Sequence, residues 1–130
     1  MEIKQVICVR KDLNMRKGKM MAQAAHAAMS FMSKRLRKDA DQLLVNLATE
    51  FTDVQLDWID GSFKKVVLQV QNEQEMFDIL AQANSAGLEC HLIEDNGLTE
   101  FHGIYTPTCI AIGPDYNDKI DPITGHLKLW

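Results

Sequence analysis

Two rhythms alternate along this chain: short apolar runs and longer stretches with helical spacing. "IKQVICV" (Ile3–Val9) is a β-branched run of the kind that fills a buried strand. "RKDLNM" then turns the chain, with Asp12 or Asn14 placed to cap a following helix. That helix is predicted from about Arg16 to Arg37, because Ala, Met, Gln, Lys and Arg are strong helix formers. Its basic end, "KRLRK", suits the negative end of the helix dipole. Residues 39–62 read as a short helix over "DADQLLVNLATEF" and a connector, "TDVQLDWIDGS", that ends in an Asp-Gly turn. "FKKVVLQV" (Phe63–Val70) is a second buried strand. Asn72 opens a helix with Glu75 in a capping box; Met76, Phe77, Ile79, Leu80 and Ala83 form its apolar face, and Gly87 ends it. "LECHLIED" (Leu88–Asp95) and "TCIAIGP" (Thr108–Pro114) are strands three and four, and the remainder makes a helical turn and an extended tail.

Strands alternating with helices predict an α/β fold: one three-layer α/β/α domain over residues 1–130, with a four-stranded mixed sheet. The first crossovers should be right-handed and parallel. The short link before Thr108 leaves room for an antiparallel fourth strand.

Composition adds limits. Apolar content of 46% and charged content of 25% are ordinary for a globular protein. No apolar run approaches the roughly 18 residues of a membrane span, and "MEIKQVICVRKD" lacks a signal-peptide layout. No membrane association and a cytoplasmic location are expected. Cys8, Cys90 and Cys109 lie far apart in strand-like runs and read as buried thiols. A nucleophilic Cys90 beside His91 is disfavoured, since strand neighbours point to opposite faces. The net charge of −4 conceals an asymmetry: residues 1–38 carry ten Lys/Arg against Glu2 and Asp12. A basic lobe on an acidic chain can bind a polyanion locally, or be a solvated face paired with the acidic half.

Ligands of open α/β sheets bind beyond the carboxyl ends of the parallel strands. There the start of the first long helix offers free N–H groups, with Arg16, Lys17 and Lys19 as charges and Gly18 allowing close approach, a combination suited to phosphate. "RKGKM" does not have the spacing of a nucleotide-hydrolysing phosphate loop. Within the helix, Lys19, Gln23, His26 and Ser30 recur on one face, which either lines a site or satisfies itself structurally. "EDNGLT" places Asp95 and Thr99 at a strand end; Asp95 is either a general base or a turn residue bonding its own backbone. His26, His91, His102 and His126 show no metal-ligand spacing. A carboxylate, hydroxyls, a lysine and a phosphate-suited helix start fit hydrolysis of an ester on a nucleic acid.

"VRKDLNMRKGKMMAQAAHAAM", "KKVVLQVQNEQEM", "GLECHLIEDNGLTE", "TCIAIGP" and "IDPITGHLKLW" resemble, in order, the blocks of the archaeal/eukaryotic-type (type 2) peptidyl-tRNA hydrolases. The G-K-x-x-A-Q-x-x-H-A block and the G-H-L-K-L ending are the most specific. The resemblance implies a four-stranded mixed sheet, hydrolysis of the ester joining a peptide to the tRNA 3′-terminal ribose, and neither a metal nor an organic cofactor. It puts the family's functional positions on Lys19, His26, Asp95, Thr99 and Thr108. From the residues themselves, Arg16, Lys17, Gln23 and Thr106 are expected as substrate or tRNA contacts. Peptidyl-tRNA is the implied partner, and a homodimer stays open.

Three departures stand out. Asn96 replaces the family's usual Ala in Asp-Ala-Gly, and its side chain could compete for the hydrogen bonds of Asp95. The link from Thr99 to Thr108 is one residue longer, with Tyr105 where glycine is common, leaving open whether Thr106 or Thr108 faces the site. Residues 39–62 are longer than the family leads one to expect. Rival readings are a deacylase of mischarged or D-aminoacyl-tRNA, a non-catalytic RNA-binding module, and a thiol-dependent enzyme.

Overall fold

The computed structural model describes residues 1–37, 50–98 and 100–130. Four strands, β1 (Ile3–Arg10), β2 (Lys65–Val70), β3 (Cys90–Asp95) and β4 (Thr106–Tyr116), form one sheet in the order β2-β1-β4-β3. β1 and β2 are parallel, while β4 runs antiparallel to both β1 and β3. The carboxyl ends of β1, β2 and β3 and the start of β4 therefore share one edge of a mixed sheet, as expected.

Helices cover both faces, which is why the middle of β1, Val6 to Val9, is apolar on both sides. On one face Ile7 and Val9 pack with Ala27, Cys109 and Ala111 beneath α1 (Lys17–Arg37). On the other, Val6 and Cys8 join Val70, Met76, Ile79 and Ile120 beneath α3 (Glu73–Ser85) and α4 (Asn117–Thr124). Ala24, Ala27 and Ala28 make the inner side of α1 shallow, so the helix lies close over the strands.

Several local expectations are corrected. The Arg16 carbonyl accepts the Met20 N–H, so Arg16 rather than Asp12 or Asn14 stands at the cap position of α1. The Asp12 carboxylate is engaged instead by Arg10, at 3.0 and 2.8 Å. The connector contains a helix, α2 (Asp53–Asp60), with a Thr52–Gln55 capping box. The helix expected over "DADQLLVNLATEF" lies almost wholly outside the described residues. Phe63, past the Gly61 C-cap of α2, adopts a left-handed conformation (φ 54) with its ring 4.5 Å from Trp58 and its N–H on Trp58 O, so it belongs to the turn and β2 begins two residues later. Asn72 accepts the Glu75 N–H as expected, but the Glu75 carboxylate reaches Gln71 N–H rather than the cap residue.

The two outer edges of the sheet differ. Along β2, the C-terminal tail adds a partial strand: Lys128 O accepts from Gln69 N–H at 2.8 Å, and Trp130 N–H donates to Val67 O at 3.0 Å. β3 forms the opposite edge.

One ion cluster ties α1, α2 and β3 together. Arg35 grips Glu89 with two hydrogen bonds of 2.8 Å, and Gln55 and His91 add contacts at 2.8 and 2.7 Å. Burial works to raise the Glu89 pKa, but the bonds from His91, Arg35 and Gln55 outweigh it and hold the carboxyl far below its ordinary range. Its contribution to stability is therefore present above the unfolded-state pKa and lost as pH falls through the folded one. Glu89→Gln is expected to lower unfolding stability by about 1–3 kcal/mol at pH 7. That difference should shrink steadily in urea titrations taken below about pH 4; a gap independent of pH would contradict this account.

Candidate active site

Asp95 is the last residue of β3 and only 9% exposed. A carboxylate so shielded needs donors, and three converge on it. Oδ1 accepts from Lys19 Nζ at 2.6 Å and from Gln23 Nε2 at 3.3 Å, both one turn apart on α1. Oδ2 accepts from Gly97 N–H at 2.8 Å. Burial raises the Asp95 pKa, but the Lys19 and Gly97 hydrogen bonds, then the charges of Lys19 and His26, lower it more, leaving it below the ordinary value.

Behind Gln23 stands Thr108. Its hydroxyl donates to Gln23 Oε1 at 2.6 Å, with Ile93 O a second acceptor at 3.3 Å. With Oε1 thus occupied, the Gln23 amide nitrogen has to face Asp95, and the side chain has a single sensible orientation. A β-bulge makes this possible. Ile93 pairs with Cys109 while Glu94 pairs with Pro107, so Thr108 is an extra residue on β4. Normal alternation would send Thr108 and Cys109 to opposite faces; instead both reach Gln23, Cys109 through Sγ to the Gln23 carbonyl at 3.4 Å. This settles the placement of the two threonines. Thr108 joins the network but is fully buried, and Thr106, across the ladder from Asp95, bonds Ile104 O at the rim.

The loop after Asp95 combines two readings that the sequence posed as alternatives. Its carboxylate makes the turn contact to Gly97 N–H and still faces Lys19. Gly97 has φ 79, and a Cβ there would sit 2.3 Å from Ile104 O, so only glycine fits. Asn96 does not compete for Asp95: its Oδ1 takes Leu98 N–H.

Other predicted residues divide. His26 is exposed, one turn beyond Gln23. Arg16 and Lys17 are exposed at the start of α1. Ser30 leaves the stripe, since its hydroxyl is turned onto Ala27 O. Thr99 lies outside the described residues. Sequence reasoning missed Arg10, which is buried and donates to Pro107 O at 3.0 Å, pinning β4 next to the bulge. Nor did it point to Phe101, whose ring centre lies 5.9 Å from Lys19 Nζ. Burial pushes the Cys8 and Cys109 thiols up to about 12 and Cys90 to about 11, so none is a thiolate at neutral pH. Among the described residues no three His, Cys, Asp or Glu side chains gather as a metal site.

Residues 3–130 match the family model described as Peptidyl-tRNA hydrolase PTH2. Curated relatives include the peptidyl-tRNA hydrolase of Methanocaldococcus jannaschii, 40% identical over 127 residues, covering 98% of this chain and 99% of that one. That of Thermoplasma volcanium is 40% identical over 129 residues, covering 99% of each. That of Haloquadratum walsbyi is 36% identical over 128 residues, covering 98% of this chain and all of the other.

Among the described residues the Thr108 hydroxyl is the sole donor to Gln23 Oε1. Thr108→Val, which keeps the shape and removes the donor, is expected to lower stability by about 1–3 kcal/mol in urea unfolding. Thr108→Ser should recover most of the loss. Equal stability of Val and wild type would remove the bond from the account.

Proposed function

This chain belongs to the Peptidyl-tRNA hydrolase PTH2 family, and on that premise we propose that Asp95 is the centre at which it hydrolyses the ester between a peptide and the 3′-terminal ribose of tRNA. The observation that carries this reading is the convergence of Lys19, Gln23 and Gly97 on one shielded carboxylate. A carboxylate oxygen has about two acceptor positions. Among the described residues Oδ1 uses both, on Lys19 and Gln23, and Oδ2 uses one on Gly97, which leaves one position that a water can take.

A carboxylate held below its ordinary pKa is a weak base towards neutral water, and a strong acceptor that fixes the water's direction. Asp95 therefore orients the water for attack on the ester carbonyl carbon. It takes the proton only as the new C–O bond makes that proton acidic. The tetrahedral intermediate then expels the ribose oxygen, which receives the proton. The Lys19 ammonium stabilises the oxyanion that forms in between. Gln23 and Thr108 are positioning residues: they hold the carboxylate in place and are themselves shielded from substrate. His26 meets the substrate from the exposed side of α1, Thr106 borders the opening, Thr99 serves as the resemblance implies, positioning water or the scissile carbonyl, and Arg16 and Lys17 hold tRNA phosphates. The chain works in the cytoplasm, where its substrate arises; among the described residues no helix is long and apolar enough to cross a membrane.

Asp95→Asn, with its fold checked by circular dichroism, is expected to cut kcat/KM on N-acetyl-aminoacyl-tRNA by about 10²–10⁴. In the wild type, activity should persist as pH falls past 6 and decline only below about 4, because the ionised form is favoured. A decline centred well above the carboxylate range would take the basic role away from Asp95. Replacing Arg16 and Lys17 with Ala should reduce the salt slope of tRNA binding by about 1–2, measured by filter binding between low and physiological salt. An unchanged slope would put the phosphates elsewhere.

A further inference from the structure

The outer edge of β3 is bordered by an open groove of about 1200 Å³. α1 forms one wall through His26, Met29 and Lys34, Leu88 lies on the other side, and β3 itself is the floor. At one end the lining includes Ile93 and Glu94, the residues immediately before Asp95. From there the groove runs back along β3 towards Glu89, away from the basic start of α1.

The floor carries main-chain groups that point into the opening. Glu89 O accepts from Gly113 N–H at 2.8 Å, which puts the main-chain groups of residues 89, 91 and 93 on the β4 side of the ladder. Those of Cys90 and Leu92 face outward. The other edge of the sheet shows the contrast, because there the tail has occupied the equivalent groups of β2.

We propose that this groove takes the peptide half of the substrate, extended and paired with the outer edge of β3 as a fifth strand. The proposal rests on the peptidyl-tRNA reading above and extends it. The ester must lie at Asp95 while the phosphates lie towards Arg16 and Lys17, so the peptide leaves in the remaining direction, which the groove follows. Pairing through the main chain holds a peptide without regard to its sequence, which suits a substrate whose peptide can be any sequence. Met29, 53% exposed, gives the wall a flexible apolar surface that adapts to varied side chains. The six residues of β3 offer about 20 Å, room for an extended segment of several residues.

The test compares purified enzyme on acetyl-aminoacyl-tRNA and on acetyl-tetrapeptidyl-tRNA of the same tRNA. Two or three added main-chain bonds should raise kcat/KM for the longer substrate about 10–100-fold. N-methylation of single peptide residues supplies a signature that depends on no protein variant: a loss of about tenfold at one residue and little at its neighbour, the period of a paired strand. Met29→Trp, which fills the groove from an exposed position, should reduce the ratio between long and short substrates. Equal kcat/KM for the two lengths, or N-methyl effects without a period of two, would overturn the proposal while leaving the hydrolase reading intact. No turnover of either substrate would overturn both. If the Cys90 and Leu92 amides already resist hydrogen exchange in the free protein, a second copy of the chain occupies this edge and the peptide does not.

Discussion

The site depends on one constraint: a carboxylate nine-tenths shielded from water must be supplied with donors by the protein. Asp95 obtains a charge from α1, an amide from the same helix one turn later, and a main-chain N–H from its own loop. None of these would hold its direction without support. The Gln23 amide could point either way until Thr108 claims its oxygen. Thr108 could not reach it without the bulge on β4. The bulge is in turn held in place by Arg10, which ties the preceding carbonyl to β1. The charge of one residue thus dictates the geometry of three secondary-structure elements.

The fold meets this demand by economy of position. Three strands end at the same sheet edge as β4 begins, so Asp95, Pro107 and Arg10 become neighbours without any long loop reaching between them. α1 can lie close enough for a glutamine to touch a strand because its inner side is mostly alanine. At the other end of that helix, Arg35 meets Glu89 just before β3, so α1 is fixed along that strand at two points, each a helix cation against a carboxylate. In the proposed mechanism these contacts place donors before substrate arrives and limit reorganisation when charge develops.

Much of this was legible in the sequence where the signal is local. The apolar runs marked every strand, and helical spacing put Lys19 and Gln23 on one face, where the structure finds them together. The resemblance supplied Asp95 and Thr108. Less legible were features that exist only between strands. No pattern in "TPTCIAIGP" announces a bulge, since a bulge is a mismatch with a partner strand. The choice between Thr106 and Thr108 depended on it. Arg10 was hidden within a basic cluster that looked solvated. Ser30 shows the opposite failure: it kept the period of the stripe but satisfied itself on its own helix. α2 was missed although its Thr52–Gln55 capping box is written in the chain, because eight residues give too short an apolar period to recognise.

The bulge also separates two kinds of length. From Cys109 onward β4 is locked to β1 and β3 by apolar side chains on both faces, and a slip of one residue would turn each of them inside out. Ahead of Thr108 the ladder with β3 resumes for two pairs, Glu94–Pro107 and Asp95–Thr106, and none of these four residues belongs to the apolar core. A residue gained or lost in the sequence between Gly97 and Thr106 therefore falls outside the register of the core. Thr108 works as a slack turn in the thread, and the rim of the site can change its outline while the carboxylate behind it stays where it is.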